Sequence, residues 1–597
     1  MNDSKKVSLL TKINYIFDKK QKGQLVILAV LILIGAVFET LGVSMIIPVV
    51  SVILSPADLN RKVAKIPWLS GVLTSMGLDN ETRLACALLV LLIILFVVKN
   101  TYLLFLVYKQ NTFISRARND MISRVMREFL NRPYEDYLGA DIPTVFRITD
   151  SDIPKTFNLM LSLLSLTTEL IVSICLGVVL LFVNWQMTVL IVVVLLILTL
   201  IITKLLKPRL NTIGRKNQET QSRIAKWRIQ AIYGLKDVKV LNRQDFFIRN
   251  YYEQGRIGAD IDRDYQVLNN VPRVLIETVF MAVVILYVLI YITGGGDASQ
   301  LVPQLTAFGL AAMRIMPSAN RINTYITNIA YNQYSLDFVY ANLTESMKTE
   351  KAMRAERAAI SGPALHLEKE IELKNITFSY PDSDVKIFRD ANMTIKKGQS
   401  VGIMGPSGAG KSTIVDILLG LLHVQSGDIL CDGSNIFSNY ESWLAQIGYI
   451  PQSIYLVDES IRENIAFGID ASEIDDDRIW EVMEEAQLAD FVRGLPEGLD
   501  TKVGDRGVRL SGGQRQRIGI ARSLYHNPEI LVFDEATSAL DNETEAAVME
   551  AINSFHGRKT MVIIAHRLNT IEKCDVIYEV KDEKIAPTSL EGRTVIH

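Results

Sequence analysis

A glycine-rich segment in the second half of the chain has the residue types and spacing of a phosphate-binding loop. It runs Gly405-Pro-Ser-Gly-Ala-Gly-Lys-Ser-Thr413 between an apolar run, Ser400–Met404, and a helix-like run, Thr413–Leu422. Glycines let backbone N–H groups turn toward phosphate oxygens, and the following helix N-terminus adds positive potential. Lys411 can reach the β- and γ-phosphates, and the Ser412 hydroxyl can ligate Mg²⁺. The segment therefore predicts a nucleotide site made by Gly405, Ser407, Gly408, Gly410, Lys411, Ser412 and Thr413.

Two further patterns supply groups that nucleotide hydrolysis requires. Ile530-Leu-Val-Phe-Asp-Glu535 has the pattern of an apolar strand that ends in two carboxylates. Asp534 would orient the metal, usually through water, and Glu535 would accept a proton from the attacking water. Leu510-Ser-Gly-Gly-Gln-Arg-Gln-Arg517 opens another helix-like run and offers a second anion cradle. Two cradles for one triphosphate make sense if they come from different subunits, and the alternative is a simple capped helix start.

The composition bounds what else the chain can do. Its 597 residues are 49% hydrophobic and 21% charged, which is too apolar for a disordered chain. The net charge is −2, so there is no basic excess for binding nucleic acid. The four cysteines are too few and too scattered for a disulfide scaffold, and the six histidines form no His-x-x-x-His pair. These counts disfavour a nucleic-acid-binding protein and a histidine metal site.

The long apolar runs lie almost entirely before residue 325, and a bilayer needs roughly 20 apolar residues per helical span. A soluble helical core rarely needs uninterrupted runs of this length, so we predict six membrane helices. Lys and Arg cluster before the first run and after the second, which places the N-terminus and the long loops at 109–157 and 207–271 in the cytoplasm. The predicted spans are Leu25–Leu54, Leu84–Tyr108, Leu159–Val183, Met187–Leu206, Val274–Ile292 and Leu301–Met316.

The two long cytoplasmic loops are charged and poor in Gly and Pro, so they are predicted to continue the membrane helices, turn at a tip and return. We expect a transmembrane domain over residues 1–340, with an outward loop at 55–83, and a polar linker at 341–366. Residues 367–597 have the composition of a soluble α/β domain with a mainly parallel sheet. The predicted fold class is therefore an α-helical six-span domain followed by an α/β phosphate-loop domain.

Taken together, these motifs resemble the nucleotide-binding domain of ATP-binding cassette (ABC) proteins, and the whole chain resembles an ABC exporter half-transporter. The resemblance implies ATP and Mg²⁺ as ligands, and a homodimer with two hydrolysing sites. It implies that Glu535, His566, Lys411 and Gln452 serve catalysis, and that Ser412, Gln452 and Asp534 serve the metal. It also implies that Tyr380 stacks on adenine, that Asp541 forms the D-loop, and that Ser511, Gly513 and Gln514 cover the ATP bound to the other subunit.

Three short stretches resemble the lipid-linked oligosaccharide flippases of bacterial protein glycosylation: Phe38-Glu-Thr-Leu-Gly42, Asn269-Asn-Val-Pro-Arg273 and Met313–Ile322. This resemblance implies a polyprenyl-pyrophosphate glycan as cargo, the bacterial inner membrane as location, and an external helix within loop 55–83. A plain interfacial anchor or inter-helix packing explains that loop equally well.

Arginine suits bidentate phosphate contact, so Arg314, with Arg321 and Arg273, is a candidate site for the pyrophosphate head. Structural alternatives remain open for each arginine. Arg314 could pair with Glu39, Glu169 or Glu277, Arg273 could pair with Glu277, and Arg321 could be an ordinary cytoplasmic anchor. Lys99 is expected to snorkel or to be paired.

The sequence also allows other functional classes. The main alternative is an exporter of another lipid, a drug or a peptide. A nucleotide-gated channel or receptor would bind ATP without needing turnover, and the intact Glu535 and His566 argue against it. A soluble ATPase acting on DNA is disfavoured by the predicted spans.

Overall fold

The computed structural model describes two compact units, and each is treated separately. The first comprises Met1–Asn131 and Asp141–Glu350, and the second comprises Arg132–Ala140 and Lys351–His597. The residues that the structure describes are 7–45, 81–139, 142–183, 185–294, 316–344, 362–381, 383–536, 542–565 and 567–589.

The described part of the first unit is helical. Three of its helices have 49 or 50 residues, about 75 Å each at 1.5 Å per residue, which is far longer than a bilayer is thick. The sequence predicts this continuation of the membrane helices into the cytoplasm. The helices are α1 (Leu9–Ile16), α2 (Lys19–Ser44), α3 (Glu81–Leu130), α5 (Ile142–Arg147), α6 (Ile153–Val183), α7 (Trp185–Tyr233), α8 (Leu235–Val240), α9 (Gln244–Thr293) and α10 (316–344), with α4 lying in the second unit.

Five described helices are long and apolar enough to cross a membrane. They contain the whole or the start of the first five predicted spans. The last nine residues of the first predicted span (46–54) and nearly all of the sixth, together with most of loop 55–83, lie outside the described residues. The five candidate spans are Lys19–Gly42, Leu89–Leu130, Thr144–Val179, Thr188–Tyr233 and Gln244–Thr293.

A buried carboxylate ties three helices of this unit together. Asp152 closes a short π-helical segment, Ile148–Asp152, and its side chain is fully buried. It accepts hydrogen bonds from Gln218 Nε2 of α7 at 3.0 Å and from Ser335 Oγ of α10 at 2.9 Å. Arg147 Nε donates to it at 3.1 Å. A buried charge is tolerated when it is paired and hydrogen-bonded in this way.

The second unit contains two sheets. A six-stranded sheet has the order β10-β9-β3-β8-β7-β6, parallel except at β10, and a four-stranded antiparallel sheet has the order β2-β1-β4-β5. The mainly parallel sheet agrees with the prediction, whereas the antiparallel sheet was not predicted. The strands are β1 (Glu370–Phe378), β2 (Phe388–Lys396), β3 (Ser400–Met404), β4 (Ser426–Cys431), β5 (Ser434–Asn435), β6 (Ile447–Ile450), β7 (Ile530–Asp534), β8 (Thr560–Ile564), β9 (Val576–Lys581) and β10 (Lys584–Thr588).

Short helices cover the parallel sheet and complete its core. Strands β7 and β8 are buried along their whole length, which is why they read as continuous apolar runs. The helices of this unit are α4 (Glu135–Leu138), α11 (Lys411–Leu418), α12 (Tyr440–Leu444), α13 (Ile461–Ile465), α14 (Asp476–Glu485), α15 (Ala489–Arg493), α16 (Gly512–Leu524), α17 (Asn542–Ser554) and α18 (Leu568–Ile571).

The tip of the first cytoplasmic loop, Arg132–Ala140, belongs to this second unit. Glu135 of α4 accepts hydrogen bonds from the backbone N–H of His423 and lies 3.2 Å from the His423 imidazole Nδ1. That imidazole stacks on Phe437 with a centroid distance of 4.9 Å. The loop tip is therefore held by one carboxylate to the segment that follows α11.

Candidate functional site

The glycine-rich loop joins β3 to α11, as the sequence predicts. Gly410 has a φ of +99°, and a Cβ there would lie 2.6 Å from Ile387 Cγ2. At Gly405 a Cβ would lie 2.4 Å from the carbonyl oxygen of Val580. Both positions therefore require glycine for steric reasons. The buried Lys411 ammonium donates to the Gly405 and Pro406 carbonyls at 3.0 and 3.1 Å, so the loop curls around its own lysine.

The two predicted carboxylates stand beside this loop because β7 is two strands from β3 in the parallel sheet. Ser412 Oγ lies 3.4 Å from Asp534 Oδ1. Gln452 Nε2 donates to Glu535 Oε2 at 2.7 Å. Glu535 has a φ of +49°, a left-handed conformation that is uncommon outside glycine and recurs at functional sites. The structure thus brings Ser412, Asp534, Glu535 and Gln452 together.

Acidic groups crowd this end of the sheet. Burial and then the charge of Glu535 raise the pKa of Asp534 above its usual range, while Ser412, Tyr449 and Lys411 oppose the shift. Burial and the charge of Asp534 raise the pKa of Asp416 to about 6. Each carboxylate is therefore costly to ionise here, and added positive charge would relieve that cost.

Two members of this acidic cluster were missed at the sequence level. Asp416 follows Ser412 by four residues on α11, so helical spacing places both on one face and could have revealed it. Tyr449 on β6, whose hydroxyl lies 3.5 Å from Asp534 Oδ2, becomes a neighbour only because β6 pairs with β7. No local signal identifies that pairing.

The predicted adenine-stacking aromatic lies next to the loop. The Tyr380 hydroxyl lies 2.9 Å from the Thr413 hydroxyl, and the ring packs edge-on against Phe378 with a centroid distance of 5.2 Å. Tyr380 is therefore part of the same cluster as Lys411 and Ser412, since Thr413 follows them on α11.

Ser511 and Gln514 form a capping box at the start of α16. The Ser511 side chain accepts from the Gln514 N–H at 3.2 Å, and Gln514 Oε1 accepts from the Ser511 N–H at 2.8 Å. This matches the capped helix start that was the alternative reading of the segment. A helix N-terminus of this kind also suits anion binding, so the two readings are compatible. Gly513 lies buried in the first turn.

Three predicted site residues lie outside the described residues: Asp541, His566 and Arg314. Arg273 lies exposed on α9, and within the described chain no ion pair to it is found, including to Glu277. Arg321 Nε lies 2.5 Å from Glu169 Oε1. Lys99 is paired, as expected, with its Nζ 3.8 Å from Glu39 Oε1.

The residues beside the loop fit a magnesium ion. Mg²⁺ prefers hard oxygen ligands and keeps several waters, so it needs few protein ligands. The Ser412 hydroxyl and the Asp534 carboxylate are such ligands at neighbouring positions. The raised pKa of Asp534 indicates a site where positive charge is favourable. Within the described residues no cluster of three or more His, Cys, Asp or Glu forms an all-protein metal cage.

Comparison with known proteins matches two families to separate parts of the chain. The model for the ABC transporter transmembrane region matches residues 24–308, and the model for ABC transporters matches residues 388–538. A structure of a bacterial Atm1-family ABC exporter with ATP bound has the same fold, with a TM-score of 0.72 at 22% identity over 94% of this chain and 95% of that one.

Two curated relatives illustrate the range of the match. An ATP-dependent lipid A-core flippase of Methylobacillus flagellatus is 31% identical over 415 residues, which cover 68% of this chain and 67% of the relative. The ABC transporter BEA3 of Gibberella fujikuroi is 44% identical over 217 residues, which cover 36% of this chain and 17% of the relative. Several curated relatives are matched over only 17% to 42% of their own length. The chain belongs to the ABC transporter family, with an exporter-type transmembrane domain followed by a nucleotide-binding domain.

Proposed function

We propose that two copies of this chain form an exporter of the bacterial inner membrane that hydrolyses ATP and flips a polyprenyl-pyrophosphate oligosaccharide. The N-terminus and the nucleotide-binding domain face the cytoplasm in this proposal. The observation that carries the ATPase half is the cluster of Lys411, Ser412, Gln452, Asp534 and Glu535 around one glycine loop.

The residues of the cluster divide the chemistry between them. The loop N–H groups and Lys411 hold the β- and γ-phosphates, and Tyr380 stacks on adenine. Bound Mg²⁺, held by Ser412 and through water by Asp534, would supply positive charge for the transferring phosphoryl group. Glu535 orients the attacking water and accepts its proton, while Gln452, already hydrogen-bonded to Glu535, positions that carboxylate. Ser511, Gly513 and Gln514 of the other subunit, with Asp541 and His566, complete the site.

The cargo half of the proposal rests on arginines of the membrane unit. Arg321 lies near the start of α10 with a side chain that is 40% exposed, and Arg273 lies exposed on α9. A guanidinium can bind a phosphate oxygen pair through two parallel N–H groups. A charge near membrane helices is costly, so two accessible arginines there favour an anionic cargo. Arg314 is the third member of this proposed site.

Reconstitution into liposomes tests the proposal. ATP-dependent translocation of a labelled polyprenyl-pyrophosphate oligosaccharide is compared with that of a labelled phospholipid and a drug. We expect movement of the first only, with none for the variant Glu535→Gln under the same conditions. Movement of all three compounds at similar rates would contradict the proposed cargo. ATP binding without turnover would contradict the proposed ATPase activity.

The second candidate is an exporter of another lipid or a drug. The match to a lipid A-core flippase over two thirds of that relative supports lipid A-core as the alternative cargo. The same liposome experiment with a labelled lipid A-core glycolipid distinguishes the two cargoes.

A further inference from the structure

One carboxylate of the membrane unit receives two contacts from a single turn of α10. Ser318 Oγ donates to Glu169 Oε2 at 2.7 Å, and Arg321 Nε lies 2.5 Å from Glu169 Oε1. Ser318 and Arg321 are three residues apart, so they share a helical face toward α6. Both carboxylate oxygens of Glu169 therefore contact α10. Ser318 lies 149 residues after Glu169 in the sequence.

The two charged partners differ in accessibility. The Glu169 side chain is 11% exposed, whereas the Arg321 side chain is 40% exposed. The guanidinium approaches Glu169 through Nε, whose N–H is not aligned for a hydrogen bond although the Nε–Oε1 distance is short, and no hydrogen bond from either Nη is found in the described part of the chain. A guanidinium carries five N–H donors, so the Nη edge remains for a second anion within the described part of the chain.

A second ion pair of the same unit, Lys99–Glu39, is less exposed to solvent on both sides. Lys99 and Glu39 have side chains that are 10% and 12% exposed, and the Lys99 ammonium also lies 4.6 Å from the Phe96 ring centroid. The stem of Lys99 packs so tightly that a Cβ at Gly42 would lie 3.0 Å from Lys99 Cδ. Burial of both partners is typical of a structural pair, whereas the Glu169–Arg321 pair is open on the arginine side.

We propose that Glu169 is a positioning residue that competes with an anionic headgroup for Arg321. Glu169 holds the arginine through Nε and leaves its Nη edge turned toward the cargo. The negative charge of Glu169 also weakens the attraction of Arg321 for a second anion, which favours release after each passage. This inference rests on the proposed function, because it assigns a role to Arg321 in binding a pyrophosphate headgroup.

The isosteric variant Glu169→Gln separates charge from shape. A glutamine fills the same volume and its Oε1 can still accept from Ser318, but it does not compete electrostatically for Arg321. The probes are polyprenyl pyrophosphate and the uncharged polyprenol, each titrated in nanodiscs while ATPase stimulation is measured. We expect Glu169→Gln to lower the half-saturating concentration of polyprenyl pyrophosphate by about tenfold, and to leave the weak polyprenol response unchanged.

Arg321→Gln is expected to have the opposite effect to Glu169→Gln, and combining the two substitutions tests whether Glu169 acts through Arg321. Arg321→Gln is expected to raise the half-saturating concentration of the pyrophosphate lipid. The double variant is expected to match Arg321→Gln alone, because the arginine for which Glu169 is proposed to compete is then absent. The variant Ser318→Ala, which removes only the uncharged contact, is the matched control and should resemble the wild type.

Two kinds of failure are distinguishable in this experiment. If wild-type chain responds equally to polyprenyl pyrophosphate and polyprenol, the proposed function is wrong. If the wild type prefers the pyrophosphate lipid but Glu169→Gln leaves its half-saturating concentration unchanged or raises it, Glu169 is a structural partner only. In that case the proposed function stands and the competition does not.

Discussion

The nucleotide site and the Asp152 cluster of the membrane unit place buried carboxylates in opposite surroundings. At the nucleotide site, like charges crowd together and burial raises the pKa of Asp534 and Asp416. Around Asp152, an arginine, an amide and a hydroxyl satisfy the one carboxylate. The first arrangement costs free energy that added positive charge recovers, and the second is already compensated.

The difference separates function from stability. A site with unrelieved negative charge is suited to bind a cation and to hold a reactive carboxylate, whereas a compensated one holds helices together. Removing a charge should therefore cost activity at the first site and folding at the second.

The largest expected effect is on hydrolysis. Glu535→Gln keeps the shape and the contact with Gln452 but cannot accept a proton, so we expect the ATPase rate to fall by about 10²- to 10⁴-fold. The melting temperature and ATP binding should stay near those of the wild type. In the purified full chain, phosphate release measures the ATPase rate and nucleotide-analogue fluorescence measures ATP binding.

A loss of melting temperature comparable to that of a core variant would break the first half of the comparison. It would mean that Glu535 holds the fold together rather than serving catalysis.

Asp152→Ala is expected to act in the opposite sense. It removes the partner of Arg147, Gln218 and Ser335 at once, which leaves a buried cation uncompensated. Breaking a buried pair on one side costs about 3–5 kcal/mol of stability. A thermal unfolding series in detergent, monitored by tryptophan fluorescence, measures the loss.

The neighbouring acidic residue Asp150, which is exposed, is the matched control. Asp150→Ala should unfold near the wild-type temperature. If the two variants unfold alike, the Asp152 cluster does not stabilise the unit.

How much of this was predictable differs between the two regions. The sequence predicts the phosphate loop, the acidic strand end and the parallel strands because each is a contiguous run with a local physical cause. Examples are the glycine requirement at Gly410 and the full burial of β7. The Asp152 cluster was not predictable, because its partners Gln218 and Ser335 lie 66 and 183 residues away. The antiparallel sheet β2-β1-β4-β5 was not predicted either, and its central pairing joins β1 to β4, with Ile371 opposite Cys431 sixty residues later.

The arginines show the same limit. The sequence offered pairing of Arg273 with Glu277 at helical spacing, but both side chains are exposed and the pair is not formed. Arg321, which local sequence marked as a possible anchor, instead contacts Glu169 on α6. Charge spacing on one helix is visible in sequence, whereas the choice of partner on another helix depends on tertiary packing.

A smaller effect is expected from Asp416, with a defined dependence on pH. Its pKa is about 6 in the folded chain and 3.8 ordinarily, so above pH 6 folding must bury an ionised carboxylate that prefers water. Asp416→Asn avoids this cost and should stabilise the chain at pH 7 by about 1 kcal/mol, allowing for partial solvent screening. The gain should shrink as the pH falls from 6 toward 4, and vanish below that because wild-type Asp416 is then protonated in both states.

Melting curves of the full chain between pH 4 and 8 check this prediction, with the exposed Asp384→Asn as control. A gain that is constant across this range would show that packing rather than charge is responsible.

The smallest expected effect concerns the loop tip. Glu135 accepts from the His423 backbone N–H and contacts its imidazole, so Glu135→Ala removes both contacts, whereas His423→Gln leaves the backbone donor in place. An exposed contact of this kind is worth about 0.2–1 kcal/mol, so we expect lipid stimulation of the ATPase to fall by about two- to fivefold in Glu135→Ala and by less in His423→Gln. Unstimulated ATPase should be unchanged, because neither residue belongs to the nucleotide cluster. Equal losses in the stimulated and unstimulated rates would instead place Glu135 with the residues that support the nucleotide site, and the loop tip would then have no separate role in the response to lipid.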